Sequence, residues 1–313
     1  MLYRVSFLIV VSLLIAELSA GELALKQTDT GYEVWIGNTL FVGYITDYEG
    51  APIVYPIVGP TGKKMTRAFP MERGYESIQT DHPHQRSFWF AHGSINGLDF
   101  WNAFARPPAT RFKIVHKRFA KAESDGQIAV FVAENDWVGN EQLLCRDVRT
   151  LRFSTSGDKR IIDFEITMIA EQDKVVFGDT KEGTFGIRVP EALAVDMRQG
   201  GRIVNAEGDV NGATWGKRSP WVNYHGVIDD EKVGIAILNH PSSFRFPTYW
   251  HVRGYGLFAA NPFGVHEFDR LDNRQAGELT LSKGESFTLR YRVLFYAGEA
   301  NISSAFKEYA EMP

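Results

Sequence analysis

The chain has 313 residues, of which 44% are hydrophobic and 23% charged, and it carries a formal net charge of -4 at pH 7. This composition is typical of a globular protein and excludes disordered and collagen-like chains. Because 34 Lys and Arg residues are offset by 38 Asp and Glu residues, the chain has no general electrostatic attraction to nucleic acid or anionic lipid. We expect no nucleic-acid partner.

Residues 1–20 have the composition of a secretory signal peptide. Arg4 supplies a positive charge, residues 7–16 are almost entirely apolar, and Ala20 is a small residue at the expected cleavage point. The apolar run is about half of the ~20 residues needed to span a bilayer. We predict a secreted or periplasmic protein with no membrane span after cleavage.

Cys145 is the only cysteine, which excludes an intramolecular disulfide. It lies in an apolar run, where a small buried hydrophobic role is expected. Stability must therefore come from the core.

Short apolar runs separated by Gly, Asn, Asp and Pro predict a chain built mostly of β-strands. Residues 32–36 and 39–44 flank Gly37-Asn38, a pair typical of tight hairpins. Residues 52–70 are rich in Pro and Gly and are predicted to form a long ordered loop. Further strands are predicted at residues 112–119, 128–137, 142–155, 160–170, 184–189, 221–227, 233–238, 256–260, 278–281 and 286–296.

One helix is predicted at residues 302–310, where apolar side chains recur with helical spacing after Asn301 or Ser303 as N-cap. About fifteen strands and this C-terminal helix fit an all-β fold, a single large antiparallel β-sandwich. No linker or repeat period divides the chain, so residues 21–313 are predicted to form one domain.

Three of the eight histidines fall within residues 82–92, close to Asp81, Arg86 and Trp89. Histidine titrates near neutral pH and binds metals, so this density indicates acid/base or metal chemistry. The alternative is that the imidazoles cap loops and bind buried carbonyl groups. We interpret the cluster as part of a functional site.

Three later segments also concentrate polar and aromatic residues, around Lys181-Glu182, Trp215 and Trp250-His251. In a β-sandwich, segments distant in sequence meet on one face or rim, so these could line one pocket with the histidine cluster. Aromatic faces stack on sugar rings, while Arg, Lys and Asn bind hydroxyl or carboxylate groups. The alternatives are that the tryptophans fill the core and that Lys181-Glu182 is a solvated charge pair.

The candidate catalytic residues, chosen for proton transfer, are His84, His92, Glu182 and His251. The candidate substrate-binding residues are Asp81, Arg86, Trp89, Lys181, Arg188, Trp215, Lys217, His240, Trp250, Arg253 and Asn261.

A divalent metal on His82 and His84 is geometrically conceivable, because alternate residues of an extended segment point to one side. No HExxH or tetrahedral Cys/His spacing is present, so no cofactor is predicted. GxGxxG, Walker A and GxSxG sequences are absent, which argues against dinucleotide-binding, phosphate-loop and α/β-hydrolase proteins.

Seven motifs in the same order resemble the bacterial PmoA-like family of secreted proteins, labelled "methane oxygenase PmoA". They are Asp81-His82-Pro83-His84, Phe90-Ala91-His92-Gly93, Gly178-Asp179-Thr180-Lys181-Glu182-Gly183, Trp215-Gly216-Lys217-Arg218, Asn239-His240-Pro241, Trp250-His251-Val252-Arg253 and Ala259-Ala260-Asn261-Pro262-Phe263-Gly264. The resemblance covers nearly all of the mature chain, although Gln85 and Ser87 stand where His and Gly are expected.

The resemblance implies a link to carbohydrate utilisation, and the sheet-rich pattern is similar to the galactose-mutarotase-like supersandwich, whose members use His with Glu for acid/base work at a sugar carbon. The first hypothesis is therefore a carbohydrate-active enzyme, an epimerase, lyase or hydrolase, that acts on a sugar or oligosaccharide. The second is a non-catalytic glycan-binding sandwich. The third, which follows the family label, is an oxygenase with histidine-bound copper or iron. Substrate identity, reaction type and oligomeric state are not predicted by these patterns.

Overall fold

The computed structural model describes residues 21–72, 79–102 and 112–313, so the predicted signal peptide lies outside the described residues. In this part of the chain, eighteen strands form two eight-stranded sheets and one two-stranded sheet. The strands are β1 (Leu23–Thr28), β2 (Gly31–Ile36), β3 (Thr39–Tyr48), β4 (Ala51–Ile57), β5 (Phe88–His92), β6 (Phe112–Ser124), β7 (Ala129–Gly139), β8 (Gln142–Ser156), β9 (Lys159–Ala170), β10 (Val175–Phe177), β11 (Gly183–Arg188), β12 (Arg202–Asn205), β13 (Trp221–Ile228), β14 (Glu231–Asn239), β15 (Tyr249–Val252), β16 (Leu257–Asn261), β17 (Leu279–Leu281) and β18 (Ser286–Ala297).

The first large sheet has the strand order β1-β2-β3-β4-β5-β11-β16-β15, and the second has the order β12-β13-β14-β18-β9-β8-β7-β6. All pairings between these strands are antiparallel. The short pair β10-β17 lies outside both sheets. None of the helices in the described ranges is long and apolar enough to cross a membrane.

The two large sheets share one hydrophobic core. Alternate residues of β9 are buried, as expected for a strand with one face toward the core. Aromatic rings from the two sheets meet there: the centroids of Tyr44 and Phe131 lie 4.8 Å apart, and those of Phe88 and Phe164 lie 5.2 Å apart. The predicted all-β sandwich is confirmed.

The local predictions based on turn residues are also confirmed. Gly37 adopts φ +53° between β2 and β3, the left-handed conformation that a tight hairpin requires. Gly157 adopts φ +55° between β8 and β9, and β6 to β9 form the predicted meander.

The prediction of a loop over residues 52–70 is wrong for its first part, because β4 occupies Ala51–Ile57 and is almost wholly buried. Pro52 and Pro56 cannot donate ladder hydrogen bonds, and the pairing of β4 with β3 is irregular. The sequence reasoning also missed β5, because polar residues precede it directly. All five of its residues are buried.

Two α-helices occur in the described residues, a single turn α1 (Val265–Phe268) and the C-terminal α2 (Ile302–Ala310). The predicted bounds of α2 and its cap are confirmed, since the side chain of Asn301 accepts a hydrogen bond from the Ser304 amide at 3.0 Å. Ile302 and Tyr309 pack against the outer side of the second sheet.

Candidate functional site

A cavity of about 490 Å³ lies where the loop before β5, the loop before β11, the end of β15 and the 3₁₀ turn Val195–Met197 meet. It contains three of the four candidate catalytic residues. The residues that line it are His82, His84, Gln85, Asn102, Lys181, Glu182, Asp196, His251, Arg253, Gly254 and Tyr255.

Asp81 and His82 form a hydrogen-bonded pair at the edge of this cavity. Oδ2 of Asp81 lies 2.5 Å from Nδ1 of His82, while Oδ1 accepts hydrogen bonds from Arg67 at 2.9 Å and from Arg188 at 3.0 Å. Both guanidinium groups are buried. Desolvation raises the pKa of Asp81, but Arg188, His82 and Arg67 together lower it by more. The pKa therefore lies below its ordinary value. Asp81 is therefore ionised at neutral pH.

The ring of Tyr255 connects this pair to the rest of the wall. It stacks on the imidazole of His82, and the guanidinium of Arg188 lies 4.7 Å from its centroid. The side-chain amide of Gln85 lies 3.5 Å from the Tyr255 hydroxyl and accepts a hydrogen bond from Arg188 at 2.5 Å. His82 is thus held by a carboxylate at its edge and by an aromatic ring at its face.

His84 has no hydrogen bond from its side chain within the described residues, although it is only 6% exposed. Burial, followed by the charges of His82, Arg86, Arg188 and Arg67, lowers its pKa to about 4. The imidazole is therefore neutral at pH 7, with unused hydrogen-bonding capacity in the cavity wall.

His251, at the end of β15, uses both ring nitrogens. Nδ1 lies 2.8 Å from the carbonyl oxygen of Lys181, so it carries the proton, and Nε2 accepts a hydrogen bond from Nε of Arg253 at 3.3 Å. Burial lowers the pKa of His251 to about 4, with a smaller upward contribution from the Lys181 carbonyl. The guanidinium of Arg253 lies 5.0 Å from the ring centroid of Trp215.

Lys181 and Glu182 project from the loop before β11. Nζ of Lys181 lies 3.3 Å from Glu182 and 2.9 Å from Glu267. Desolvation lowers the pKa of Lys181, but the two carboxylates raise it above its ordinary value. Asn261 supports the loop, because its side-chain amide donates to the Thr180 carbonyl at 2.8 Å.

His92, the fourth candidate catalytic residue, lies outside the cavity lining. Its Nε2 is 3.0 Å from the Gly178 carbonyl oxygen, and its ring packs against Phe177 and Phe263. Burial lowers its pKa to about 4. This environment is that of a structural histidine.

Several candidate binding residues also lie elsewhere. Trp89 and Trp250 are buried in the core, and Nε1 of Trp250 donates to the Ser219 carbonyl at 2.8 Å. Arg86 is buried and donates to the Tyr48 carbonyl. Lys217 pairs with Asp209 at 2.5 Å on the surface.

His240 lies near the C-terminal helix, where its ring bonds Ser242 at 2.8 Å and the Met312 carbonyl at 3.1 Å. It lines a different cavity, of about 540 Å³. The polar motif that contains it therefore has a local structural role.

Residues 32–310 match a family model described as a family of unknown function, DUF6807. The chain belongs to the DUF6807 family. No curated protein matches its sequence.

Two solved structures resemble this DUF6807 protein. One is the galactosidase domain of the α-galactosidase-sucrose kinase AgaSK, with 9% identity, a TM-score of 0.43 and coverage of 89% of this chain and 41% of that chain. The other is a galactose mutarotase related enzyme from Lactobacillus acidophilus, with 10% identity, a TM-score of 0.31 and coverage of 88% and 95%. Neither likeness bears on substrate or reaction, and the DUF6807 chain spans less than half the length of the galactosidase protein.

The sequence reasoning did not select Asp196, Tyr255 or Gln85. Tyr255 lies two residues beyond Arg253, so an extension of that motif would have found it. Asp196 has no such signal, because a 3₁₀ turn brings it to the cavity. A Cβ atom on Gly254 would lie 2.2 Å from an Asp196 carboxylate oxygen, so glycine permits this close approach.

The oxygenase hypothesis requires a histidine-bound metal. His251 uses both ring nitrogens on protein groups, whereas His82 uses only Nδ1, on Asp81, and His84 has no side-chain hydrogen bond among the described residues. Across residues 21–72, 79–102 and 112–313, no three His, Cys, Asp or Glu side chains are grouped so as to hold a metal ion.

Proposed function

We propose that the cavity binds a sugar or oligosaccharide and that the protein is a secreted or periplasmic carbohydrate-active enzyme that transfers protons at the bound sugar. The observation that carries this proposal is the convergence of the Asp81-His82 pair, His84 and Glu182 on one polar cavity. Epimerisation, elimination and hydrolysis all require a base and an acid positioned on the same substrate.

His82 is the proposed base. The carboxylate of Asp81 accepts a hydrogen bond from Nδ1–H of His82, so Nε2 keeps its lone pair. The ring lines the cavity. A carboxylate in this position fixes the tautomer and stabilises the imidazolium that forms when the base takes a proton. Arg67 and Arg188 hold the carboxylate in place.

Glu182 is the proposed second proton-transfer group, and His84 is a proposed ligand contact. The carboxylate of Glu182 is 30% exposed in the same cavity and has Lys181 beside it. His84 offers an unused donor and acceptor in a largely desolvated wall, where a hydroxyl group would satisfy both.

The size and lining of the cavity support a sugar ligand. Its volume of about 490 Å³ is within the range of about 300–1,000 Å³ of small-molecule sites. All of its lining residues except Gly254 carry polar side chains, which suits a ligand covered with hydroxyl groups.

The burial of three tryptophans from the polar segments favours an enzyme over a glycan-binding module. A binding platform needs exposed aromatic faces, but Trp89, Trp101 and Trp250 are all buried. Trp215 is half-buried, with Arg253 over its ring.

The test is to incubate the mature protein in D₂O with a panel of neutral and acidic mono- and disaccharides and to follow each mixture by NMR. Anomer exchange, deuterium incorporation, an unsaturated product or a new reducing end each identifies a reaction class. We expect His82→Gln and Glu182→Gln to lower turnover by about 100-fold or more.

The matched control is His240→Gln, since His240 lies at the other cavity, and its turnover should equal that of the wild type. Full activity in both His82→Gln and Glu182→Gln would refute the assigned roles. Sugar binding without turnover of any sugar would establish the binding module instead.

A further inference from the structure

We infer that the ligand of this cavity carries a carboxylate, as in a uronic or aldonic acid, and that Arg253 binds it. The inference rests on the proposed role of the cavity in binding a sugar, and it adds the chemical class of that sugar. It is drawn from how the guanidinium of Arg253 is held and from which of its donors are used.

Arg253 is fixed at one edge and one face. The Lys181 carbonyl accepts the Nδ1 proton of His251, so Nε2 of His251 is an acceptor and binds Nε–H of Arg253. Trp215 packs against the guanidinium, 5.0 Å from ring centroid to Cζ. His251 therefore acts as a positioning residue for Arg253.

This arrangement leaves the two terminal nitrogens of Arg253 for a ligand. A guanidinium presents them as a planar fork that matches the two oxygens of a carboxylate. Among the described residues, neither nitrogen has a hydrogen-bond partner and no carboxylate lies within 4.0 Å.

The neighbouring cations already contact carboxylates. Lys181 pairs with Glu182 and Glu267, and Arg188 pairs with Asp81 behind the wall. Within the described part of the chain, Arg253 is thus the cation of the cavity lining that has no carboxylate partner.

A carboxylate fits this place better than a phosphate. Glu182 and Asp196 line the same cavity, and both repel an anion. A phosphate dianion doubles both its attraction to Arg253 and its repulsion from these two carboxylates, because the Coulomb energy is proportional to the charge. Since two carboxylates oppose one unpaired guanidinium in the lining, the second negative charge brings no net gain.

The experiment measures the affinities of the full-length mature protein for D-glucuronate, its neutral isostere D-glucuronamide and glucose 6-phosphate by calorimetry at low salt. We expect glucuronate to bind about tenfold or more tightly than glucuronamide, the size of one charge-assisted hydrogen-bond pair. Glucose 6-phosphate should bind more weakly than glucuronate.

Three variants locate the effect. Arg253→Gln should remove the preference for glucuronate and leave the glucuronamide affinity within about twofold, which also shows that the cavity is intact. Arg253→Lys should keep part of the preference, since it retains the charge without the planar fork. Arg274→Gln removes the same charge at an exposed position outside the cavity lining and should change nothing.

Equal affinity for glucuronate and glucuronamide, a preference that survives in Arg253→Gln, tighter binding of the phosphate, or no binding of any probe would each overturn the inference. The results that refute this inference differ from those that refute the proposed function. Glucuronate binding that depends on Arg253, without turnover of any sugar, would refute the enzymatic function and support the carboxylate site. Turnover of neutral sugars that is unchanged in Arg253→Gln would support the enzymatic function and refute the carboxylate site.

Discussion

The imidazole of His82 lies parallel to the phenol ring of Tyr255, with ring centroids 5.0 Å apart and an angle of 6° between the planes. Asp81 holds the same imidazole through Nδ1. Two contacts at right angles to each other therefore define the orientation of His82, and Nε2 has a fixed direction before any ligand binds.

Replacement of Tyr255 tests this orientation. Tyr255→Ala removes the stacked ring, and we expect turnover to fall by about tenfold or more because a misplaced base loses its alignment with the substrate. Tyr255→Phe is the control, since it keeps the ring and should retain most of the activity. ¹⁵N NMR of His82 checks the cause: the Nδ1 proton should remain protected from exchange in Tyr255→Phe but not in Tyr255→Ala. Equal exchange rates would contradict the role of stacking.

Asp81→Asn should destabilise the protein, because Arg67 and Arg188 are buried and would lose their shared carboxylate. Asp81 itself is 42% exposed, so the expected loss of unfolding free energy is about 1–3 kcal/mol rather than the larger cost of a fully buried pair. The measurement is urea unfolding at pH 7.

The control for Asp81→Asn is Asp229→Asn, which breaks a surface pair with Lys63 at a side chain that is 69% exposed. Its effect should stay below about 1 kcal/mol. Similar losses in both variants would show that the two buried arginines do not depend on Asp81.

The stability of the protein should fall as the pH is lowered from 6.5 toward 4. Burial lowers the pKa of His84, His92 and His251 to about 4, against an ordinary value of 6.5. Between these values the unfolded chain binds protons that the folded chain does not, so the free energy of unfolding decreases by up to about 1.4 kcal/mol per pH unit for each histidine.

The variant His92→Phe isolates one of these three contributions, because His92 packs between aromatic rings. Between pH 4.5 and 6 the variant should take up about one proton fewer than the wild type on unfolding. The slope of its unfolding free energy against pH should be smaller by the corresponding amount. Urea unfolding at several pH values measures the slope. Above pH 7.5 these histidines should not contribute to the slope in either the wild type or His92→Phe. Identical slopes of the two proteins at low pH would contradict the lowered pKa of His92.

Gly93→Ala should disturb Glu182 from outside the cavity. An added Cβ would lie 2.7 Å from the Glu182 carbonyl oxygen and 2.8 Å from its Cβ, so the backbone of that loop must move. We expect a loss of about 1–3 kcal/mol in unfolding free energy together with reduced turnover. Gly212→Ala meets no atom within 4 Å and should stay within about 0.5 kcal/mol of the wild type. Thermal unfolding compares the two, and equal midpoints would contradict the close packing of the loop.

The sequence predicts the second sheet better than the first, for a physical reason. Strands β6 to β9 follow one another with short turns, so local patterning and the turn at Gly157 define them. In contrast, β5 is buried between β4 and β11, and its pairing depends on residues about ninety positions away. Short strands of this kind, including β12 and β15, carry little periodicity of their own.

The sequence predicts which segments line the candidate site, but it does not predict which histidine in them is structural and which faces the cavity. The composition around His84, Glu182 and His251 selected three segments that do line one cavity. It could not separate His251 from His92, because each is defined by a carbonyl group from a distant loop, Lys181 for one and Gly178 for the other. Those partners are set by tertiary structure.

The strand order also shows which pairings close long loops of chain. Neighbours in the β6 to β9 meander need only short loops to close, whereas β5, β11 and β16 must find one another across long stretches of chain, which costs more closure entropy and takes longer. The loops that supply His82, Glu182 and Arg253 are attached to these strands or to their immediate neighbour β15. We therefore expect ligand binding to require that these long-range pairings have formed, so that a ligand reports on the completed first sheet.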